Sequence, residues 1–232
     1  MTIIGIVGAR GFLGSTLCKA AKSYNFQTIE ITRENYDKYK REKFDILINS
    51  ASPSKKYWAL KNPYLDFQAT VMLTADLTYN WNYEKLVQMS SMSVNDEKSK
   101  HPYTINKKAA EIITSYKNSL IIRLSNLYGD GLSKGPLFDL LNSRRIYVDI
   151  KSEYSFISTD FVAKWIFDNL DRDGVVQVGA RDTISLLEIS KILGLKAEWE
   201  GNVERIHSSN VEEGMPYANE VLKFANQYVK NS

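Results

Sequence analysis

The chain opens on an apolar run, Thr2–Val7, that stops at a glycine and continues as Gly8-Ala-Arg-Gly11-Phe-Leu-Gly14 into a helical pattern. A short continuous run of this kind predicts a strand buried on both faces. Residues 12–25 place Leu13, Leu17, Ala20, Ala21 and Tyr24 at helical spacing. A strand that passes through three glycines into a helix must make a tight turn, bring backbone close to whatever lies on it, and pack its helix closely. The leading N–H groups of that helix, with their partial positive charge, suit a pyrophosphate. The glycine spacing alone is a weak signal; its strand–turn–helix setting makes it a candidate dinucleotide loop.

The same alternation continues. Phe26–Ile31 and Asp45–Asn49 read as strands, residues 64–80 as a long helix after Pro63, Leu86–Met89 as a strand, Tyr103–Tyr116 as a helix behind Pro102, and Leu120–Leu124 as a strand. Strands alternating with helices predict an α/β fold, a Rossmann-like doubly wound parallel sheet. Beyond residue 130 the pattern weakens. Residues 136–143, 159–170 and 217–229 look helical, Val175–Val178 is a short strand, and Ser185-Leu-Leu-Glu188 opens a helix as a capping box, with Gly194 past its end. We therefore expect a dinucleotide-binding domain over 1–130 and a small substrate lobe over 131–232, with about 154–180 returning to the first domain.

Composition excludes several classes. A single cysteine rules out a disulfide framework and a multi-cysteine zinc site, so no metal is expected; Cys18 reads as a small buried hydrophobe. The net charge of +3 is too small for a nucleic-acid footprint. No apolar run approaches the ~18 residues of a membrane span. The start flows directly into a strand, which argues against a signal peptide, so a cytoplasmic location is expected. The cluster Lys38–Lys43 reads as a solvated helix face.

Two further places bear on chemistry. The second strand ends Glu30-Ile31-Thr32-Arg33. An acid at its tip would bind the ribose 2′-OH of NAD; Thr32 followed by Arg33 favours a 2′-phosphate, hence NADP, with NAD possible. Arg33 as a plain solvated cation is the bland alternative. Tyr103-Thr-Ile-Asn-Lys107 puts a phenol and an ammonium on one helical face. The ammonium is expected to lower the tyrosine pKa from ~10 and tune it for proton transfer. Upstream, Ser90, Ser91 and Ser93 follow the fourth strand, on the sheet edge where such folds bind ligands. Tyr and Lys four apart are common in a chain with 14 tyrosines. What lifts the pair is the order: glycine loop, strand with serines, then Tyr-x-x-x-Lys.

That order resembles the extended branch of the short-chain dehydrogenase/reductase superfamily, which holds the NAD(P)-dependent nucleotide-sugar epimerases, dehydratases and reductases. The resemblance covers most of residues 3–190. It includes Gly8, Gly11 and Gly14, the segment Asp45-Ile-Leu-Ile-Asn49-Ser-Ala51, Asn62-Pro63, and Thr70-Val71, where Thr70 replaces the usual Asn. It also includes Ser91, Tyr103 and Lys107, Arg123-Leu-Ser-Asn126-Leu-Tyr128-Gly129, and Phe156-Ile-Ser-Thr-Asp160-Phe-Val162-Ala163. By resemblance, Gly8, Gly11, Phe12, Leu13 and Gly14 would meet the pyrophosphate, and Ser50, Ala51 and Ser52 the riboses. Lys107 would hold the nicotinamide ribose and lower the Tyr103 pKa, Tyr103 would exchange the substrate's proton, and Ser91 would bind the reacting oxygen. Ser125 and Asn126 would face nicotinamide and substrate.

Departures from the family narrow the reaction. Met92 and Ser93 stand where sugar dehydratases of the family carry an acid pair, and methionine cannot exchange a proton. Cys18 lies on the wrong helix for the family's combined epimerase–reductases. The segment before Asp45 is short, as in the compact keto-sugar reductases. Tyr154 stands where the family places a diphosphate-binding Arg, a role for which Arg144, Arg145 and Lys151 are candidates. The expected function is reduction of a keto-sugar, nucleotide-linked, by hydride transfer from the nicotinamide. The alternatives are a nucleotide-sugar 4-epimerase and a non-catalytic dinucleotide-sensing protein. A homodimer is expected through the two helices that carry Leu65, Val71, Leu73 and Leu77, and Ala109, Ile112 and Ile113.

Overall fold

The computed structural model describes residues 1–208, 210 and 212–231. The chain forms two compact units, one of residues 1–123 with 163–176, the other of 124–162 with 177–232.

In the first unit the elements run β1 Thr2–Val7, α1 Phe12–Ala21, β2 Phe26–Ile31, α2 Tyr36–Tyr39, β3 Lys43–Asn49, α3 Lys56–Lys61, α4 Pro63–Phe67, a π-helical turn Gln68–Met72 and α5 Leu73–Asn80. They continue with β4 Asn82–Ser91, a 3-10 turn Met92–Asn95, α6 Pro102–Thr114 and β5 Ser119–Leu124. With β9, Gly174–Val178, the strands form a six-stranded sheet in the order β2-β1-β3-β4-β5-β9. β1 pairs in parallel with β2 and with β3, and β3 in parallel with β4. This is the doubly wound α/β sheet expected. From β1 the chain steps outward to β2 and then crosses to β3 on the other side, so the glycine turn after β1 lies at the point where strand order reverses. Ile4, Ile6, Phe44, Leu47, Ile48, Leu86 and Val87 are fully buried, as strands covered on both faces require.

Several boundaries differ from expectation for local reasons. Helix α1 stops at Ala21 rather than 25 because Tyr24 leaves the helix to stack on Phe26, with ring centroids 5.6 Å apart, and donates its hydroxyl to Asp168 Oδ1 at 2.7 Å. Strand β4 begins at Asn82, not Leu86. Its early turn to the interior is carried by Lys85, whose ammonium is consumed by Asp173 at 2.6 Å and the Leu170 carbonyl at 2.9 Å. The 64–80 helix is continuous but carries the π-helical turn, a feature frequent at functional sites. Lys38–Lys43 is not one solvated helix face. Only Tyr36–Tyr39 is helical, Lys40 pairs with Asp76 at 2.6 Å, and Lys43 starts β3.

The second unit holds β6 Leu127–Tyr128, α7 Pro136–Leu141, β7 Glu153–Tyr154 and β8 Ile157–Ser158, then the start of α8, Thr159–Asp168, whose remainder belongs to the first unit. After β9 come β10 Ile184–Ser185, α9 Leu186–Leu193, β11 Arg205–Ile206 and α10 Val221–Lys230. β6 pairs with β8, and β10-β7-β11 form a second small sheet. The capping box at Ser185 is complete, with Glu188 N–H donating to Ser185 Oγ at 3.1 Å and Ser185 N–H to Glu188 Oε2 at 2.9 Å. Gly194 closes α9 in the left-handed conformation. Among the described residues no helix is long and apolar enough to cross a membrane.

Candidate active site

The glycine turn is pinned from both flanking strands. The Gly8 and Ala9 N–H groups donate to the Ile31 carbonyl at the tip of β2, at 2.9 and 3.3 Å. Ser50 donates its N–H and its hydroxyl to the Val7 carbonyl, at 3.0 and 2.7 Å. Gly8 adopts φ +83°, a conformation that L side chains rarely enter. A Cβ on Gly14 would lie 2.0 Å from the Gly8 oxygen, so α1 packs on the turn only because that residue is glycine. Helix α1 starts at Phe12 with no side-chain cap on its leading N–H groups. The Ser52 hydroxyl is buried without a hydrogen-bond partner. A close-lying backbone, an uncapped helix start and an orphaned hydroxyl fit the phosphates and a ribose of a dinucleotide.

At the tip of β2 the structure adds a residue that sequence reading missed. Thr32 N–H donates to Asn35 Oδ1 at 2.7 Å, and Asn35 Nδ2 to the Glu30 carbonyl at 3.0 Å. Glu34 takes the Arg10 guanidinium at 3.0 Å. Its carboxyl is held below the ordinary range, first by the Thr32 hydroxyl and also by Arg10 and Arg33. Glu34 lies beyond the strand's alternation, so no periodicity marked it.

Ser91 is the last residue of β4. Its hydroxyl accepts from the Ser93 N–H at 3.2 Å, closing the 3-10 turn, and lies close enough to the Tyr103 phenol to pull its pKa down. Tyr103 follows Pro102 in the first turn of α6, where His101 Nδ1 caps the helix by accepting from the Tyr103 N–H at 3.2 Å. Lys107 Nζ sits 5.6 Å from the centroid of the Tyr103 ring, as positions i and i+4 of a helix allow. Both residues are buried.

One expectation is overturned. The Tyr103 phenol is not lowered; it is pushed up to about 12. Burial is the largest cause, because phenolate would lose its water. The Ser91 hydrogen bond pulls down, and the Asp66 carboxylate pushes up. The pH consequence has a definite sign. Below pH 10 folded and unfolded chains both keep this proton. From pH 10 to 12 the unfolded chain ionises first, so stability falls as pH rises, by about 2–3 kcal/mol across the window. Between pH 8 and pH 11, urea unfolding of the native chain is expected to lose about 1.4 kcal/mol more than that of Tyr103→Phe; equal losses would contradict the assignment.

The neighbouring serines have other duties. Ser90 donates to Glu111 Oε1 at 2.5 Å, and Glu111 also takes Arg123 at 3.0 and 2.7 Å. The Ser93 hydroxyl is buried without a partner. The remaining candidates lie in the second unit. Ser125 accepts from the Ser155 hydroxyl at 2.8 Å, and the Asn126 carbonyl from the Ile157 N–H at 3.1 Å. Arg144 lies over the Phe138 ring at 4.9 Å, and Arg145 pairs with Glu200 at 3.5 Å and Glu198 at 3.9 Å. Lys151 is exposed beside Asp149, whose Oδ1 accepts its N–H at 2.7 Å. Tyr154 is fully buried and donates its hydroxyl to Glu204 at 3.0 Å, a structural duty rather than a cationic one.

Comparison with known proteins gives a family and a shared fold. Residues 4–142 match the family described as the NAD dependent epimerase/dehydratase family. No curated protein matches the sequence. Among solved structures, RMD from Pseudomonas aeruginosa complexed with NADPH superposes with a TM-score of 0.82 at 16% identity, covering 100% of both chains. A UDP-glucose 4-epimerase from Thermotoga maritima with UDP-glucose gives 0.82 at 14% identity over 99% of both chains. A dTDP-4-dehydrorhamnose reductase from Clostridium acetobutylicum gives 0.78 at 18% identity, again over 99% of both. At these identities the likeness is one of fold.

Proposed function

Because the chain belongs to the NAD dependent epimerase/dehydratase family, in the extended branch of the short-chain dehydrogenases and reductases, we propose that it reduces a nucleotide-linked keto-sugar with NADPH. The observation that carries this reading is the Tyr103 phenol, buried, next to the Ser91 hydroxyl that lowers its pKa and lying under the Lys107 ammonium. The similar structures include a dTDP-4-dehydrorhamnose reductase and a complex with NADPH.

The glycine turn with Phe12 and Leu13 would hold the pyrophosphate, and Ser50, Ala51 and Ser52 the riboses. Arg33, exposed next to Thr32, would take a 2′-phosphate, while Glu34 pairs with Arg10. When bound, the nicotinamide supplies the electron pair for reducing a carbonyl carbon. Tyr103 gives its proton to the carbonyl oxygen as that oxygen becomes a hydroxyl. Ser91 donates to the same oxygen and orients it. The two neighbouring hydroxyls can both turn to one substrate atom, which places the proton without a search through solvent. Lys107 holds a ribose and keeps positive charge next to the phenol. The absence of an acid at Met92 leaves no group after Ser91 for eliminating water.

The test is a panel of nucleotide sugars with purified protein. Stoichiometric NADPH loss with a 4-keto-sugar, faster than NADH loss, is expected. Interconversion of 4-hydroxyl epimers without net NADPH loss would make it an epimerase. Tight NADPH binding with no turnover across the panel would make it a dinucleotide sensor.

A second copy of the chain is the proposed partner. Of the stripe read from the sequence, Leu65 and Ile112 are exposed, whereas Val71 and Leu77 are buried within the unit. Met72 and Tyr79 continue the line from Leu65 at spacings of seven, and Ile105 and Tyr116 flank Ile112 on α6 and just past it. The Tyr79 and Tyr116 rings meet at 5.5 Å and join the two stripes. Sedimentation is expected to give two chains for the native protein and one for the double variant Met72→Glu, Ile112→Glu; a native monomer would rule this partner out.

A further inference from the structure

Helix α6 carries the phenol in its first turn, and a histidine closes that turn. A helix leaves its leading N–H groups without partners of its own. Pro102, at the first position, has no N–H to satisfy, so the first such donor is the amide of Tyr103 itself. His101 Nδ1 accepts it at 3.2 Å, and the His101 carbonyl accepts the Ile105 N–H at 3.1 Å to start the helical ladder. The cap is held from behind. His101 N–H donates to Ser99 Oγ at 3.3 Å, and Ser99 N–H to the Asp96 carbonyl at 3.2 Å, which also takes Lys108 Nζ at 2.9 Å. Helix starts favour Asn, Asp, Ser and Thr, whose oxygens accept throughout the neutral range. A histidine does the same work only while Nδ1 carries no proton.

We propose, on the reductive reading above, that His101 is a positioning residue acting through Tyr103: its neutral imidazole caps α6, and protonation of the ring releases the turn that seats the phenol. An imidazolium carries N–H on both nitrogens, so Nδ1 would meet the Tyr103 N–H donor to donor. Its charge would also stand at the positive end of the helix dipole. Proton uptake and opening of the turn are therefore linked. On α6 itself, Lys107 lies over the Tyr103 ring and Glu111 takes Arg123. The loop before the cap brings Asp96, Glu97, Lys98 and Lys100, and Lys108 reaches back to it. The 3-10 turn Met92–Asn95 has no titratable side chain, and Asn95 accepts from Arg123 at 3.1 Å. From the other elements packed on α6 come Lys56, Tyr57 and Lys61 of α3, and Tyr64 and Asp66 of α4. α5 brings Tyr79 and Asp76, which pairs with Lys40; β4 brings Tyr83, Glu84 paired with Lys43, and Lys85 paired with Asp173. Around the cap in the chain, two acids thus face three lysines, a balance that does not favour a further positive charge on His101. Tyr103, its phenol pushed up to about 12, keeps its proton through the acid range and gives turnover no acid limb of its own. An acid limb that vanishes with His101 is the signature of the cap.

Histidine labelled with 15N in the ring reads the cap directly in the cofactor-free, full-length protein. The chain has two histidines, and the His101 signals are assigned by their loss in His101→Asn. At pH 8 the ring proton is expected on Nε2, with Nδ1 bare. A cap of ordinary strength should bring the His101 titration roughly 0.5–1 pH unit below the ordinary imidazole value of about 6.5. At pH 5, hydrogen exchange of the Tyr103 amide should run roughly three- to tenfold faster in the native chain than in His101→Asn, whose side-chain oxygen still accepts. NADPH-dependent turnover should fall between pH 7 and pH 5 in the native protein and hold level in His101→Asn. At pH 8, turnover should drop in His101→Ala and be restored in His101→Asn. A proton on Nδ1 at pH 8, or a titration at or above the ordinary value, overturns the proposal even if no variant folds. So does a Tyr103 exchange rate at pH 5, or an acid fall in turnover, that is equal in the native chain and a folded His101→Asn. The ring and amide signals need no substrate or cofactor. Absence of reductase activity would therefore sink the functional reading and leave the cap to be judged by those signals.

Discussion

Tyr103→Phe is expected to lower turnover by roughly 10²–10⁴-fold, the ordinary worth of a positioned proton donor, and to leave dinucleotide affinity near native. The substitution removes one oxygen from a ring that stays packed in the first turn of α6 under Lys107. It takes away one buried hydroxyl, a change of about 1 kcal/mol in stability, so the protein remains folded. The glycine turn and the tip of β2 are held by Ile31, Val7 and Asn35, none of which depends on the phenol. Initial rates with NADPH, alongside fluorescence titration of the same cofactor, separate chemistry from binding. A variant within tenfold of native turnover would remove Tyr103 from the chemistry.

Gly14→Val is expected to abolish dinucleotide binding and to cost roughly 2–3 kcal/mol of stability through overpacking, a fall in Tm of roughly 5–10 °C for a chain of this size. Its Cβ would lie 2.0 Å from the Gly8 oxygen and 2.9 Å from the Ser50 hydroxyl. Neither is the free end of a flexible side chain: the first is backbone, and the second is tied to Val7. Helix α1 must therefore move off the turn, and its leading N–H groups move with it. Gly11→Ala is a graded control, since its added Cβ would meet the Gly8 oxygen at 3.1 Å. Thermal melting and cofactor titration of both variants test this. A Gly14→Val protein that binds NADPH as the native chain does would mean that the turn is not the cofactor cradle.

Much of this architecture was legible residue by residue. The strand at Thr2–Val7, the glycine turn, the helix behind Pro102 and the Ser185–Gly194 helix are set by neighbours in the chain: apolar runs, a proline at a helix start, a capping box and a terminal glycine. The order of motifs was equally readable and led to the family. The parts that stayed hidden are those where distant residues decide. Lys85 reads as a break in a strand until Asp173 and the Leu170 carbonyl are seen to satisfy it. Which apolar residues of 63–80 face inward depends on a π-helical turn that shifts the helical phase.

The same division runs through the site. Local spacing was enough to put a phenol and an ammonium on one helical face, because i and i+4 always meet on a helix. The proton affinity of that phenol was not local. It follows from burial and from Asp66, 37 residues earlier in the chain, and the ammonium's expected effect yields to the loss of water around the ring. Short-range pattern thus prescribed the elements and the residues they carry, since backbone geometry is fixed within a few residues. Packing between elements far apart in the chain set the electrostatics, since desolvation and unscreened charge exist only once the interior has closed.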